Sequence, residues 1–160
     1  MQTQTIDRIA PPQSNKDPIF VPKGMGERVR VLGSTHINKV SPEQTGGAFS
    51  AIEIVIPPGM GPPMHTHAND CEFFYVLEGE ITFSHPGGSL KGRPGDFVFL
   101  PNGGHHAFRN DGDVDARALI VISPGVEAHH FFKELDRTLG DEIVPEVAFE
   151  LGGKNGIYFD

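Results

Sequence analysis

From residue 18 to residue 123 the chain alternates apolar and polar positions over short runs and holds no helical period. The runs are "IFVP", "ERVRVLG", "THINKV", "AFSAIEIVI", "CEFFYVLEG", "ITFSH", "DFVFLP", "HHAFRN" and "ARALIVI". Between them lie "PPGMGPP", "HAND", "PGG", "RPGD", "PNGG" and "NDGD". Residues two apart on a strand share a face, so each run can bury one side and leave the other wet. Many short strands punctuated by glycine and proline predict a sandwich or barrel.

After Ser123-Pro124-Gly125 the period changes. Ala128, Phe131, Phe132, Leu135 and Leu139 recur at helical spacing and make one apolar face. Pro124 is placed to open this helix and Gly140 to close it. A second, short helix is expected from about Pro145 to Gly152. The organisation read from the pattern is a polar, aperiodic arm over 1–17, expected to be flexible, and one domain over 18–160. Within that domain a β body occupies 18–123 and a helical segment 124–160.

Length and charge narrow the partners. A chain of 160 residues suits one domain and one core. Its formal net charge of −8 argues against nucleic acid and anionic lipid, which need a basic face. No apolar run approaches a membrane span, and the N-terminus lacks the basic start and apolar stretch of a secretory signal. A single cysteine excludes an intrachain disulfide framework. The expected location is the cytoplasm, with a small molecule as partner.

The histidines carry the chemistry. His65 and His67 are two apart, so on a strand both imidazoles point one way. Reading Asn69-Asp70 as a two-residue hairpin turn sets His67 directly opposite Glu72. Two imidazoles and a carboxylate then meet at one point, as a divalent cation requires. Further on, "GDFVFLPNGGHHAFRN" places His105 and His106 after another strand, so a third imidazole is on offer.

Residues 59–79, "GMGPPMHTHANDCEFFYVLEG", fit G-x5-H-x-H-x4-E-x6-G. Residues 95–110 fit G-x5-P-x-G-x2-H-x3-N. This pair resembles the two motifs of the cupin superfamily, and the chain is similar to small single-domain bacterial cupins often labelled quercetin-dioxygenase-like. The resemblance implies an all-β double-stranded β-helix, a jelly-roll barrel, with one or two C-terminal helices. It implies four metal ligands, His65, His67, Glu72 and His106. The motif spacing selects His106 over His105, and strand alternation agrees. It implies one divalent transition metal ion (Fe, Mn, Ni, Cu or Zn), a catalytic role for Glu72 in taking a proton from substrate, and a homodimer in which residues 18–33 pair with a second chain.

Parity sketches the pocket. Counting from Glu72 puts Phe74 and Val76 inward, and counting from His106 puts Phe108 inward. Met60, Phe83, Phe97 or Phe99, and Ile52, Ile54 and Ile56 complete the expected lining. Arg109 and Arg117 are expected to point away. His36 and His85 read as structural, His129 and His130 as solvated, His105 as a rim residue. An apolar pocket around one polar centre suits a small, partly apolar ligand. Three function classes follow: a metal-dependent oxidoreductase of dioxygenase type, a non-enzymatic metal- or ligand-binding protein such as a sensor or store, and an isomerase or sugar-modifying protein. The last is disfavoured by the lack of a cation in the pocket.

Overall fold

The computed structural model describes residues 16–160, so nearly all of the expected arm lies outside the described residues. Among the described residues eleven strands and two α-helices follow one another, with a short 3-10 turn at Glu43–Thr45. β1 is Arg28–Val31, β2 Ser34–Val40, β3 Ser50–Ile56, β4 His65–His67, β5 Cys71–Glu78 and β6 Ile81–His85. β7 is Gly88–Gly92, β8 Phe97–Leu100, β9 Ala107–Arg109 and β10 Ala116–Ser123. Helices α1 (Val126–Leu139) and α2 (Pro145–Lys154) precede β11 (Ile157–Phe159).

One wall is a six-stranded antiparallel sheet in the order β1-β2-β3-β10-β5-β8. β10 lies at its centre because its alternation is the cleanest in the chain: Ala116, Ala118, Ile120 and Ile122 are all buried. Ile120 meets Ile52 on one side and Phe74 on the other. The facing wall comprises β11-β4 and β7-β6-β9, joined by an antiparallel bridge between His65 and His106. Two sheets closed face to face with a filled interior make the expected jelly roll. α1 lays Ala128, Phe131, Phe132 and Leu135 against it, and the Gly140 amide ends the helix on the Asp136 carbonyl.

Four local expectations are corrected. "IFVP" forms no strand. β7 occupies "GSLKG", which has one apolar side chain, Leu90, and no alternation; it exists through its pairing with β6. The segment after α2 is not purely helical, because β11 returns to the barrel and pairs with β4. The hairpin proposed for Asn69-Asp70 is absent: β4 pairs with β11, whereas β5 pairs with β10 and β8. Residues 68–70 therefore carry the chain from one wall to the other.

Candidate metal centre

β4 is short, but it is held on both edges. Ile157, Tyr158 and Phe159 pair with His67, Thr66 and His65 on one side. On the other, the His65 amide donates to the His106 carbonyl at 2.9 Å and the His106 amide returns the bond at 2.9 Å. Alternation turns His65 and His67 inward and leaves Thr66 between them. Glu72 enters from the opposite wall as the second residue of β5, level with Ile122 and Leu100. The four side chains converge: each offers one ligand atom, and these atoms lie within 4.8 Å of one another. All four residues are buried.

The rings are anchored by the nitrogen that faces away from the cluster. His65 Nδ1 donates to the Pro63 carbonyl at 2.8 Å and His106 Nδ1 to the Gly104 carbonyl at 3.1 Å. A carbonyl can only accept, so each Nδ1 carries a proton. The two Nε2 atoms are turned inward. His106 Nε2 lies 2.9 Å from Glu72 Oε2, and His67 Nε2 3.6 Å from the same oxygen. Donor atoms sharing one ion at ordinary bond lengths sit about 3–4 Å apart, and these two separations are of that size.

The charges are tightly coupled. Burial works against a charged Glu72, but His67, His106 and His65 outweigh it and bring the carboxyl down to about 2. Burial, with His106 beside it, holds His65 down to about 4. His67 is also disfavoured as a cation by burial, yet Glu72 and Asp70 together raise it. An anionic oxygen next to a neutral imidazole is what a transition metal binds.

Asp70, which sequence reasoning passed over as a turn residue, is buried behind the cluster. Its Oδ1 accepts the Gly125 amide at 2.8 Å and its Oδ2 the Ala128 amide at 3.3 Å, so it caps α1. Gly125 has φ of +79°, and a Cβ there would come 2.6 Å from the Ile122 carbonyl; only glycine suits this corner. Beside it, Asn69 donates to both carboxylate oxygens of Glu127.

His65, His67 and Glu72 open onto a cavity. It holds about 470 Å³ between atoms, its mouth included, of which about 30 Å³ admits the centre of a water molecule. Of the residues expected to line it, Phe108 and Ile54 do, together with Phe131, Phe132 and Phe159. Phe74 and Val76 do point inward, but with Phe83 they fill the closed half of the barrel; the Phe74 ring lies tilted 5.0 Å from Phe108 and edge-on 5.1 Å from Phe83. Phe99 is paired with Phe73, whose side faces out, and is 51% exposed. Phe83 and Phe99 border a separate open groove on the far side of His106. Met60 packs against the β1–β2 turn at Gly33. Arg109 pairs with Asp111 outside, and Arg117 with Glu53 and Glu78.

The remaining histidines divide. His105 is exposed and paired with Asp160 at 2.9 Å. His85 is exposed and accepts the Gly87 amide. His130 is exposed, but His129, expected in solvent, is buried, with Nε2 4.0 Å from a Glu43 oxygen. His36, read as merely structural, lines the cavity.

Comparison with known proteins agrees with this geometry. The Cupin domain model matches residues 52–122, a span that holds all four converging side chains. The chain is a cupin. It is 30% identical over 124 residues to quercetin 2,3-dioxygenase of Bacillus subtilis, covering 78% of this cupin and 35% of that protein. It is 34% identical over 67 residues to the oxalate-binding protein of Thermotoga maritima, covering 42% of this cupin and 55% of that one. The chain thus spans only about a third to a half of the length of these relatives. The crystal structure of a predicted oxalate decarboxylase from Thermotoga maritima superposes with a TM-score of 0.56 at 26% identity, covering 62% of this chain and 91% of that one. Within the cupin the His3Glu cluster could hold a metal ion.

Proposed function

We propose that this cupin binds one divalent transition metal ion through His65, His67, Glu72 and His106 and acts as an oxidoreductase of dioxygenase type on a small, partly apolar oxygenated molecule. The observation that carries this is the anchoring of His65 and His106 through Nδ1, which leaves each Nε2 free to bind an ion and sets that of His106 against Glu72. Outer partners of this kind fix ring orientation and tautomer at metal sites. Four protein ligands on a five- or six-coordinate ion leave a position open for substrate. A bound ion would supply Lewis acidity and, if redox-active, electron transfer with dioxygen.

The chain's own groups do the rest. Glu72 is the single carboxylate among the cavity-lining residues and is the proposed acceptor for a substrate proton. Phe108, Phe131 and Phe132 exclude water and favour an apolar body. The narrow space favours small ligands over flavonol-sized ones. No lysine or arginine lines the cavity, which disfavours sugar phosphates. The alternative is non-enzymatic binding. It is favoured by the absence, among the cavity-lining residues, of any acid or base besides Glu72 and the histidines, and a curated relative is an oxalate-binding protein.

Elemental analysis of metal-loaded protein, followed by oxygen-electrode assays with catechol and β-diketone panels, tests the reading. Stoichiometric metal with oxygen uptake supports it. Metal without uptake under any loaded ion leaves the binding alternative, and no metal sinks the dioxygenase reading and metal binding together. A homodimer is also proposed from the family resemblance, and a mass of 17.4 kDa by light scattering would remove it.

A further inference from the structure

Ser34 and His36 are two apart on β2 and line the same cavity as His65, His67 and Glu72. They are 3% and 4% exposed. Ser34 Oγ and His36 Nδ1 make no hydrogen bond among the described residues. β2 lies three strands from β5 in the sheet order, so this polar pair and Glu72 sit at separate places along the cavity wall. Between and around them the lining is apolar, with Val31, Ile54, Phe131 and Phe132. An imidazole edge-on to Phe132 at 4.5 Å gains packing there but no polar partner.

A buried polar atom without a partner costs about 1–3 kcal/mol. Folded proteins leave few buried polar atoms unpaired, and these two belong to residues that line one cavity. The neighbouring turn adds an independent sign. Leu32 has φ of +49° and Gly33 φ of +84°, which makes the β1–β2 connection a type I′ turn. That turn favours asparagine or glycine at its first position. Leucine there costs about 1–2 kcal/mol, and its side chain lines the cavity. Strain of this kind clusters at ligand sites.

Neither polar group carries charge. Burial, only partly offset by Glu72, holds the His36 ring down to about 4, so at neutral pH it is an uncharged donor and acceptor. Serine is neutral, and no cation lines the cavity. This end of the cavity can satisfy a hydroxyl or a carbonyl. It gives no counter-charge to a second carboxylate.

We infer that Ser34 and His36 form a second, uncharged hydrogen-bonding subsite that reads a hydroxyl or carbonyl group at the far end of the ligand. The inference rests on the proposal that the near end of that ligand is held at His65, His67, Glu72 and His106. The ligand class is then a small molecule with chelating oxygens at one end, an apolar middle and a neutral polar group at the other.

The test uses 2-oxo acids of four to seven carbons, whose keto-carboxylate end chelates a divalent ion. Each length is compared with its far end methyl, hydroxyl or carboxylate, by calorimetric titration of manganese-loaded protein. At one or more lengths the hydroxyl form is expected to bind about tenfold tighter than the methyl form, with the carboxylate form weakest. Ser34→Ala and His36→Gln are expected to shrink that preference to less than about threefold while bound manganese stays stoichiometric. In nitrogen-detected NMR the His36 ring signals should move with the hydroxyl series and not with the methyl series. No hydroxyl preference at any length, including no binding at all, overturns the subsite. So does a preference that both variants keep. If the wild type carries no metal yet still prefers hydroxyl-terminated ligands, the metal reading fails and the subsite stands.

Discussion

Asp70 Oδ2 lies 4.0 Å from His67 Nδ1, and the same carboxylate caps α1 through the amides of Gly125 and Ala128. The His67 contact is too long for a hydrogen bond and acts through charge. One side chain thus ties the helix to a candidate ligand. Asp70→Ala is expected to lower metal affinity about 10–100-fold and to cost about 1 kcal/mol of stability through the lost cap. Metal titration and thermal unfolding measure the two effects. A variant that loses stability but keeps full affinity would reduce Asp70 to a cap alone.

Removing a proposed ligand should empty the centre. Glu72→Ala and His106→Ala are expected to retain less than about a tenth of the wild-type metal by elemental analysis. His105→Ala is expected to retain all of it, since His105 turns away toward Asp160. Loss of metal in the His105 variant alone would transfer the ligand role to it.

The acid limb of stability should run through His36. Its folded value is about 4 and its ordinary value 6.5, because burial disfavours the charged ring and Glu72 only partly offsets that. As pH falls below 6.5 the unfolded chain takes up this proton while the folded protein does not. The stabilisation is therefore complete above 6.5 and is lost as pH falls toward 4, at about 1.4 kcal/mol per pH unit. Urea unfolding of metal-free protein at pH 7 and pH 4.5 is expected to show a smaller difference in His36→Leu than in wild type. An equal difference would mean that other groups carry the acid sensitivity.

β11 should matter to the centre from outside it. Phe159 packs 5.5 Å from the His65 ring, and the Asp160 amide donates to the Met64 carbonyl at 3.0 Å. Deleting residues 157–160 is expected to weaken metal binding by at least about tenfold and to speed hydrogen exchange at Thr66. Unchanged exchange there would show that β4 holds its place by the His106 bridge alone.

The sequence made the four converging residues legible because motif spacing is a property of the chain. It did not make their geometry legible. The route from His67 to Glu72 was read as a hairpin; it is a crossing between walls, and the two side chains meet across the barrel interior. Parity on β5 correctly turned Phe74 and Val76 inward, but it carries no information on which inward residues fill the barrel and which border space. His36 was hidden for a related reason. Both it and Ile37 are buried, so β2 has no wet face by which inside and outside can be told apart. β7 and β11 escaped because a strand with one apolar side chain and a three-residue strand have no alternation to read.

The pairing of β11 with β4 also sets an order of events during synthesis. His65, His67, Glu72 and His106 all leave the ribosome well before Ile157–Phe159, the strand that closes the wall around them. Until that strand arrives, β4 has one free edge and no Phe159 against His65. The nascent chain therefore carries a ligand set without its support. Any metal held there at full affinity would require Ile157–Phe159 to have returned past both helices to pair with β4.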